Sequence, residues 1–231
     1  MARWLVPLAG EHFDLEEFAR WFPSGGIHVI EEDGRYYLVG QDLEALPNAE
    51  AIYLEAHRAL GQFAPIVLLL APDMKCPAID GVIRETDEGK RNHFVFLSAT
   101  LSIRAKVGAI VVSGGTEQQQ PQNTQAQDIL QRVKADPHLD AAIALWGKPE
   151  RSWPHLYRIL EEIEQHLGEP VSSAGLCSRN KRERFTRTAN AAEVSGLDAR
   201  HALKRSDPPS NPMTIGEANE FIRGLLTSVL R

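Results

Sequence analysis

Arg184, Arg187, Asn190, Arg200 and His201 are the residues whose types and spacing could do chemistry in this chain. They lie in RNKRERFTRTANAAEVSGLDARHALKR, residues 179–205, where eight Lys or Arg meet three acids in a protein of net charge −6. Arginine carries a planar fork of donors that matches phosphate or carboxylate oxygens two at a time. On a helix over 176–189, Arg184 and Arg187 are neighbours, and Thr188 follows Arg184 by one turn. Gly196 breaks the segment, LDARHALKR can start a short second helix, and SDPPSNP forbids helix until Thr214. Basic and hydrogen-bonding side chains thus cluster on a broken-helix corner suited to an anion or a protein partner. The competing reading is a solvated face, or a set of partners for the acids Glu11, Glu16, Glu17, Glu31, Glu32 and Asp33.

Other chemistries find little support. The eight His form no H-E-x-x-H, and no Cys/His cluster has zinc spacing, so no metal and no cofactor is expected. Gly114-Gly115 follows a strand-like run but belongs to neither phosphate-loop pattern, and Ser98 in LSAT lacks the glycines of a nucleophile elbow. Trp4, Trp21, Trp146 and Trp153 sit mostly on apolar stripes and read as core.

Composition bounds the class. The chain has 231 residues, 43% of them apolar and 24% charged, enough for a real core. Its acidic balance argues against a broad nucleic-acid coat, which needs positive potential. Cys76 and Cys177 are isolated, as in a reducing compartment. The opening MARWLVPLAGEH lacks a signal-peptide core, and the longest apolar run, residues 64–71, is far short of the roughly 20 residues that span a bilayer. The expectation is a soluble, cytoplasmic protein with no membrane contact.

The elements that must position the corner read as follows. Residues 3–9 suit a strand. HFDLEEFARWFPSGG suits a helix capped by Asp14 with Glu17 three residues on, stapled by Phe13 and Phe18, and ended by Pro23 and Gly25-Gly26. IHVIEEDGRYYLVG is a hairpin around Asp33-Gly34. A helix over about 48–62 follows, and Pro65 favours a break before or within PIVLLL. GVIRET and RNHFVFLSAT are antiparallel strands across Asp87-Glu88-Gly89, with a third run ending at Val112. The Gln-rich stretch then reads as linker, or as helix from Thr124 onward. Beyond it only helices remain. SWPHLYRILEEIEQHLG has Ser152 at its cap and Gly168 at its close, and TIGEANEFIRGLLTSVL opens with the capping box Thr214 and Glu217. Their apolar stripes need partner faces. The expected fold class is α+β: a mostly antiparallel N-terminal sheet with covering helices over 1–114, a linker or loop over 115–127, and a C-terminal α-helical bundle over 128–231.

The pattern W-x-x-L-Y (Trp153 to Tyr157), R-F-x-x-T-A-N (Arg184 to Asn190), A-R-H (Ala199 to His201) and P-P-x-x-P-M (Pro208 to Met213) resembles a set of uncharacterised bacterial proteins. The likeness covers the C-terminal third well and the N-terminal half loosely, and it implies no particular activity. A more distant likeness runs to the HEPN superfamily of helical bundles, which includes metal-independent RNases. That likeness implies His201 moving a proton at an RNA 2′-hydroxyl or leaving oxygen, and an arginine steadying charge on the phosphate. Those enzymes carry an Arg, four to six residues and then a His on one helix. Here Arg184 and Arg187 lie farther upstream of His201, and Arg200 adjoins it. The functional expectation is a non-catalytic binding or interaction protein, a bacterial regulatory or defence-system accessory component with a protein partner. The alternatives are a HEPN-like RNase or toxin using Arg200 and His201, and nucleic-acid binding without cleavage.

Overall fold

β1 (Arg3–Ala9) lies inside a sheet, paired antiparallel with β3 (Arg35–Val39) on one side and β5 (Val82–Glu85) on the other. The computed structural model describes residues 3–96, 122–149, 151–191 and 209–231. Within them the strand order is β2–β3–β1–β5–β6, with β2 His28–Glu32 and β6 Arg91–Phe94, while β4 (Ala78–Ile79) pairs with the end of β1. Every pairing is antiparallel, as the short connections of β2 to β3 and of β5 to β6 favour. Asp33 and Gly34 both take positive φ, at 53° and 71°, the geometry a two-residue hairpin loop demands.

β1 is buried on both faces. Val6 opposes Leu38, which opposes Val29; Leu5 opposes Ile83 and packs with Tyr37. A neighbour on each edge and cover on each face account for an apolar run, WLVPLA, in place of strict alternation. At one end of the Leu5 face, Arg3 bridges Glu32 and Glu85, and Arg91 reaches the same two carboxylates.

α1 (His12–Trp21) starts earlier than expected. Glu11 occupies the cap position, and the Leu15 amide already bonds the Glu11 carbonyl at 3.0 Å, so a turn exists before Asp14 can cap it. Asp14 becomes a first-turn acid, favourable to the helix dipole, and Phe13 is 70% exposed and staples nothing. A short α2 (Gln41–Glu44) precedes α3 (Ala49–Leu70). Pro65 does not end α3. Ile66, Val67 and Leu69 beyond it are all buried, so packing holds the helix through the proline.

The chain clusters into two units. The first comprises 1–57 and 77–124, the second 58–76 and 125–231, with the division inside α3. In the second unit α4 (Gln122–Ala135) begins within the stretch expected as linker. α5 (Pro137–Trp146) is capped by Asp136, whose carboxylate accepts from the His138 and Leu139 amides. α6 (Trp153–Leu167) packs on α5, buries Leu156, Ile159, Leu160 and Ile163, and closes on Gly168 in the left-handed region. Ser152 stands at its cap, yet its hydroxyl pairs with the His155 ring at 3.1 Å and not with the backbone. α7 (Arg179–Asn190) and α8 (Ile215–Leu230) complete the described helices, and α8 carries the full Thr214–Glu217 capping box. The architecture is α+β with a C-terminal helical region. No described helix is long and apolar enough to cross a membrane. Cys76 and Cys177 are not joined in a disulfide. The strand run ending at Val112 and the second helix from LDARHALKR fall outside the described residues.

Candidate functional site

The basic corner is organised by one aromatic side chain. Phe185 is fully buried on α7, with ring centroids 6.0 Å from Trp153, 6.2 Å from Tyr157 and 5.4 Å from Phe221. Docking Phe185, Thr188 and Ala189 inward fixes the rotation of α7 and leaves Asn180, Glu183, Arg184 and Arg187 on another face. Ser178 caps the helix by accepting from the Lys181 amide.

Arg184 is a structural clamp. Its Nε donates to the Asn211 carbonyl at 2.6 Å, and its Nη2 donates to the Pro212 carbonyl at 3.1 Å. The same Nη2 reaches both oxygens of Glu217, at 3.1 and 3.2 Å. Glu217 meanwhile accepts from the Thr214 amide at 2.8 Å, closing the capping box of α8. The Thr214 amide first and Arg184 second hold the Glu217 carboxyl below its ordinary range. One turn along, the Thr188 hydroxyl donates to the Arg184 carbonyl at 2.7 Å and accepts from the buried Met213 amide at 3.1 Å. The stretch R-F-x-x-T-A-N therefore holds 211–214 and the start of α8 against α7: guanidinium outside, hydroxyl inside, phenyl ring in the core.

Neighbouring cations are also engaged. Arg182 grips Glu164 of α6 with two bonds, at 2.6 and 2.7 Å, which raises the Arg182 pKa. Arg179 pairs with Glu183 at 2.8 Å, and Lys181 lies 5.1 Å from the centroid of the Phe221 ring. Among the five residues singled out in sequence, Arg184 and Arg187 come together in one open cleft of about 300 Å³, with Asn180, Glu183, Pro209, Ser210 and Asn211. Arg187 is exposed there. Asn190 does not line it; its Oδ1 is buried with no hydrogen-bond partner among the described residues. Arg200 and His201 lie outside the described residues.

Sequence reasoning missed Asn180, Ser210 and Asn211 as lining residues. The available signal was the Ser-Asn pair set between prolines, where amide and hydroxyl side chains terminate a turn. Two histidine–carboxylate pairs also went unmarked. His138 Nδ1 lies 2.9 Å from Glu162, which also accepts from Arg158 Nε at 2.9 Å, and His166 Nδ1 lies 2.6 Å from Asp136. Asp136 is at once the cap of α5, so its pairing joins the end of α6 to the start of α5. Bonds from His166 and from the Leu139 and His138 amides outweigh the burial that opposes them and keep the Asp136 carboxyl low. Among the described residues no group of three or more His, Cys, Asp or Glu is placed to hold a metal ion. No protein family, curated protein or solved structure matches the chain.

Proposed function

We propose that the protein is a non-catalytic binding protein whose helical unit docks an acidic segment of a protein partner in the cleft beside α7. One observation carries this reading: Arg187 lines a cleft together with Ser210 and Asn211, and the Arg184 clamp holds Asn211 and Pro212 in place. A surface fixed before the partner arrives loses less conformational freedom on binding. Carboxylates suit the cleft because Arg187 brings positive charge to it, and Asn180, Ser210 and Asn211 supply shorter polar groups. Glu183, the acid in the lining, has its charge offset by Arg179. The role is that of a regulatory or accessory component that acts by binding.

The test uses the full chain and a fluorescently labelled peptide rich in glutamate. Saturable binding that weakens with salt and is lost in Arg187→Glu is expected. Binding indifferent to Arg187→Glu, or no binding, refutes the assignment. A labelled RNA run in parallel, with and without EDTA, separates the other readings. Metal-independent cleavage lost in Arg200→Ala and His201→Ala replaces this proposal with a nuclease, and salt-sensitive binding without cleavage replaces it with nucleic-acid recognition.

A further inference from the structure

A second cleft, independent of the α7 cleft, lies in the helical unit where α5 ends and α8 passes. It encloses about 380 Å³, within the range of small-molecule sites. Leu68, Pro72, Trp146 and Pro149 give it apolar walls, and Arg151, Asn219, Glu220 and Arg223 supply the polar groups.

Arg151 is the unusual member. Its guanidinium carbon lies 4.1 Å from the centroid of the Trp146 ring. No carboxylate pairs with it among the described residues, unlike Arg179, Arg182 and Arg184 of the same unit. Burial lowers its pKa, and among the described residues no charged neighbour adds to or opposes that shift. A half-buried guanidinium beside an apolar wall can still gain a carboxylate partner from outside. Trp146 is buried, and among the described residues its Nε1 meets no acceptor. A guanidinium over an indole ring can still use its N–H edge for forked bonds to a carboxylate.

The remaining groups narrow the ligand. Arg223 donates through Nε to the Leu69 carbonyl at 3.1 Å, and its Nη1 lies 3.8 Å from Glu220, which faces its charge. Asn219 gives an amide hydrogen to the Ile215 carbonyl at 2.8 Å. Glu220 places a negative charge on the rim, which opposes a multiply charged anion such as phosphate more than a singly charged one. The apolar walls favour a ligand with a hydrophobic body. We infer that this cleft binds a small apolar monocarboxylate, its carboxylate on the fork of Arg151 and its body against Leu68, Pro72 and Pro149. The same chemistry is offered by a free aryl or aliphatic acid and by the C-terminal residue of a peptide.

The experiment follows the four tryptophan indole N–H signals of the full chain by nuclear magnetic resonance, during titration with phenylacetate, N-acetylleucine, phenylacetamide and inorganic phosphate. The Trp146 signal is identified by its loss in Trp146→Phe. That signal should shift saturably with at least one of the two acids, with a Kd of about 1 mM or tighter. Stronger binding of phenylacetate assigns a free acid, and stronger binding of N-acetylleucine assigns a peptide terminus. Arg151→Gln should weaken binding about tenfold or more, and Arg151→Lys, which keeps the charge but not the fork, severalfold. Unchanged signals from the other tryptophans in Arg151→Gln show that the fold survives. Phenylacetamide binding as well as phenylacetate, phosphate binding better than both acids, equal binding by Arg151→Gln, or no saturable shift with either acid overturns the proposal. The acid–amide comparison on the unaltered chain decides the matter even where a variant fails to fold.

Discussion

Replacing Thr188 by Val tests whether R-F-x-x-T-A-N is a latch. The side chain is fully buried and nearly unchanged in shape by the substitution, so packing is conserved and only the hydroxyl is lost. That hydroxyl makes two bonds, to the Arg184 carbonyl and from the Met213 amide. The carbonyl lies within a helix and tolerates the loss. The Met213 amide does not, because Met213 is itself buried and gains no water in exchange. Losing the bond and stranding that donor should together cost about 2–3 kcal/mol. Thr186 is the internal control: two residues away on the same helix, its hydroxyl donates to the Glu183 carbonyl at 3.1 Å in a more exposed place. Thr186→Val should change stability by no more than about 0.5 kcal/mol. Urea denaturation should separate the two variants by about 1 M in midpoint. Hydrogen exchange at the Met213 amide should accelerate about thirtyfold or more in Thr188→Val alone, as a loss of about 2 kcal/mol implies. Agreement of the two variants within about 0.5 kcal/mol, or unchanged exchange at Met213, refutes the latch.

Gly147→Ala should destabilise the helical unit by about 1–3 kcal/mol, because a Cβ there would stand 2.6 Å from Cγ of Pro65, in a ring that cannot rotate away; a lowered urea midpoint checks this. Glu162 is held below its ordinary pKa of 4.5 chiefly by His138 and next by Arg158. Its contribution is present above that ordinary value and is lost as pH falls through the depressed folded value. The melting temperature of Glu162→Gln, followed from about pH 5.5 to about pH 3, should therefore fall less steeply than that of the unaltered chain; equal slopes refute the pairing.

Several elements were legible in the sequence because their signals are local. Asp33-Gly34 is a turn pair whose positive φ values can be read from residue type alone. Thr214 and Glu217 are three residues apart and cap each other without help from elsewhere. The stripe of α6 and the helical character of α7 follow from periodicity. Local signals misled where a stronger local or tertiary contact competed. Asp14 has good capping chemistry, but the helix begins at His12, and Asp14 is already inside its first turn. Pro65 is a helix breaker by type, yet buried residues on both sides of it keep α3 continuous.

The basic corner shows the same division. Arg184 was marked as a ligand group because arginine forks suit anions, and nothing in the sequence reveals that its donors meet Asn211, Pro212 and Glu217 some 27–33 positions away. Arg151 drew no notice because its environment comes from α5, α8 and the end of α3 together. Residue types and near-neighbour spacing thus determined the α+β class, the turns, the caps and the apolar stripes, since dihedral preference and periodicity act over a few residues. Only the tertiary structure decided which cations are neutralised and which line a cleft, because charge compensation and desolvation depend on distances through space that the order of residues does not encode.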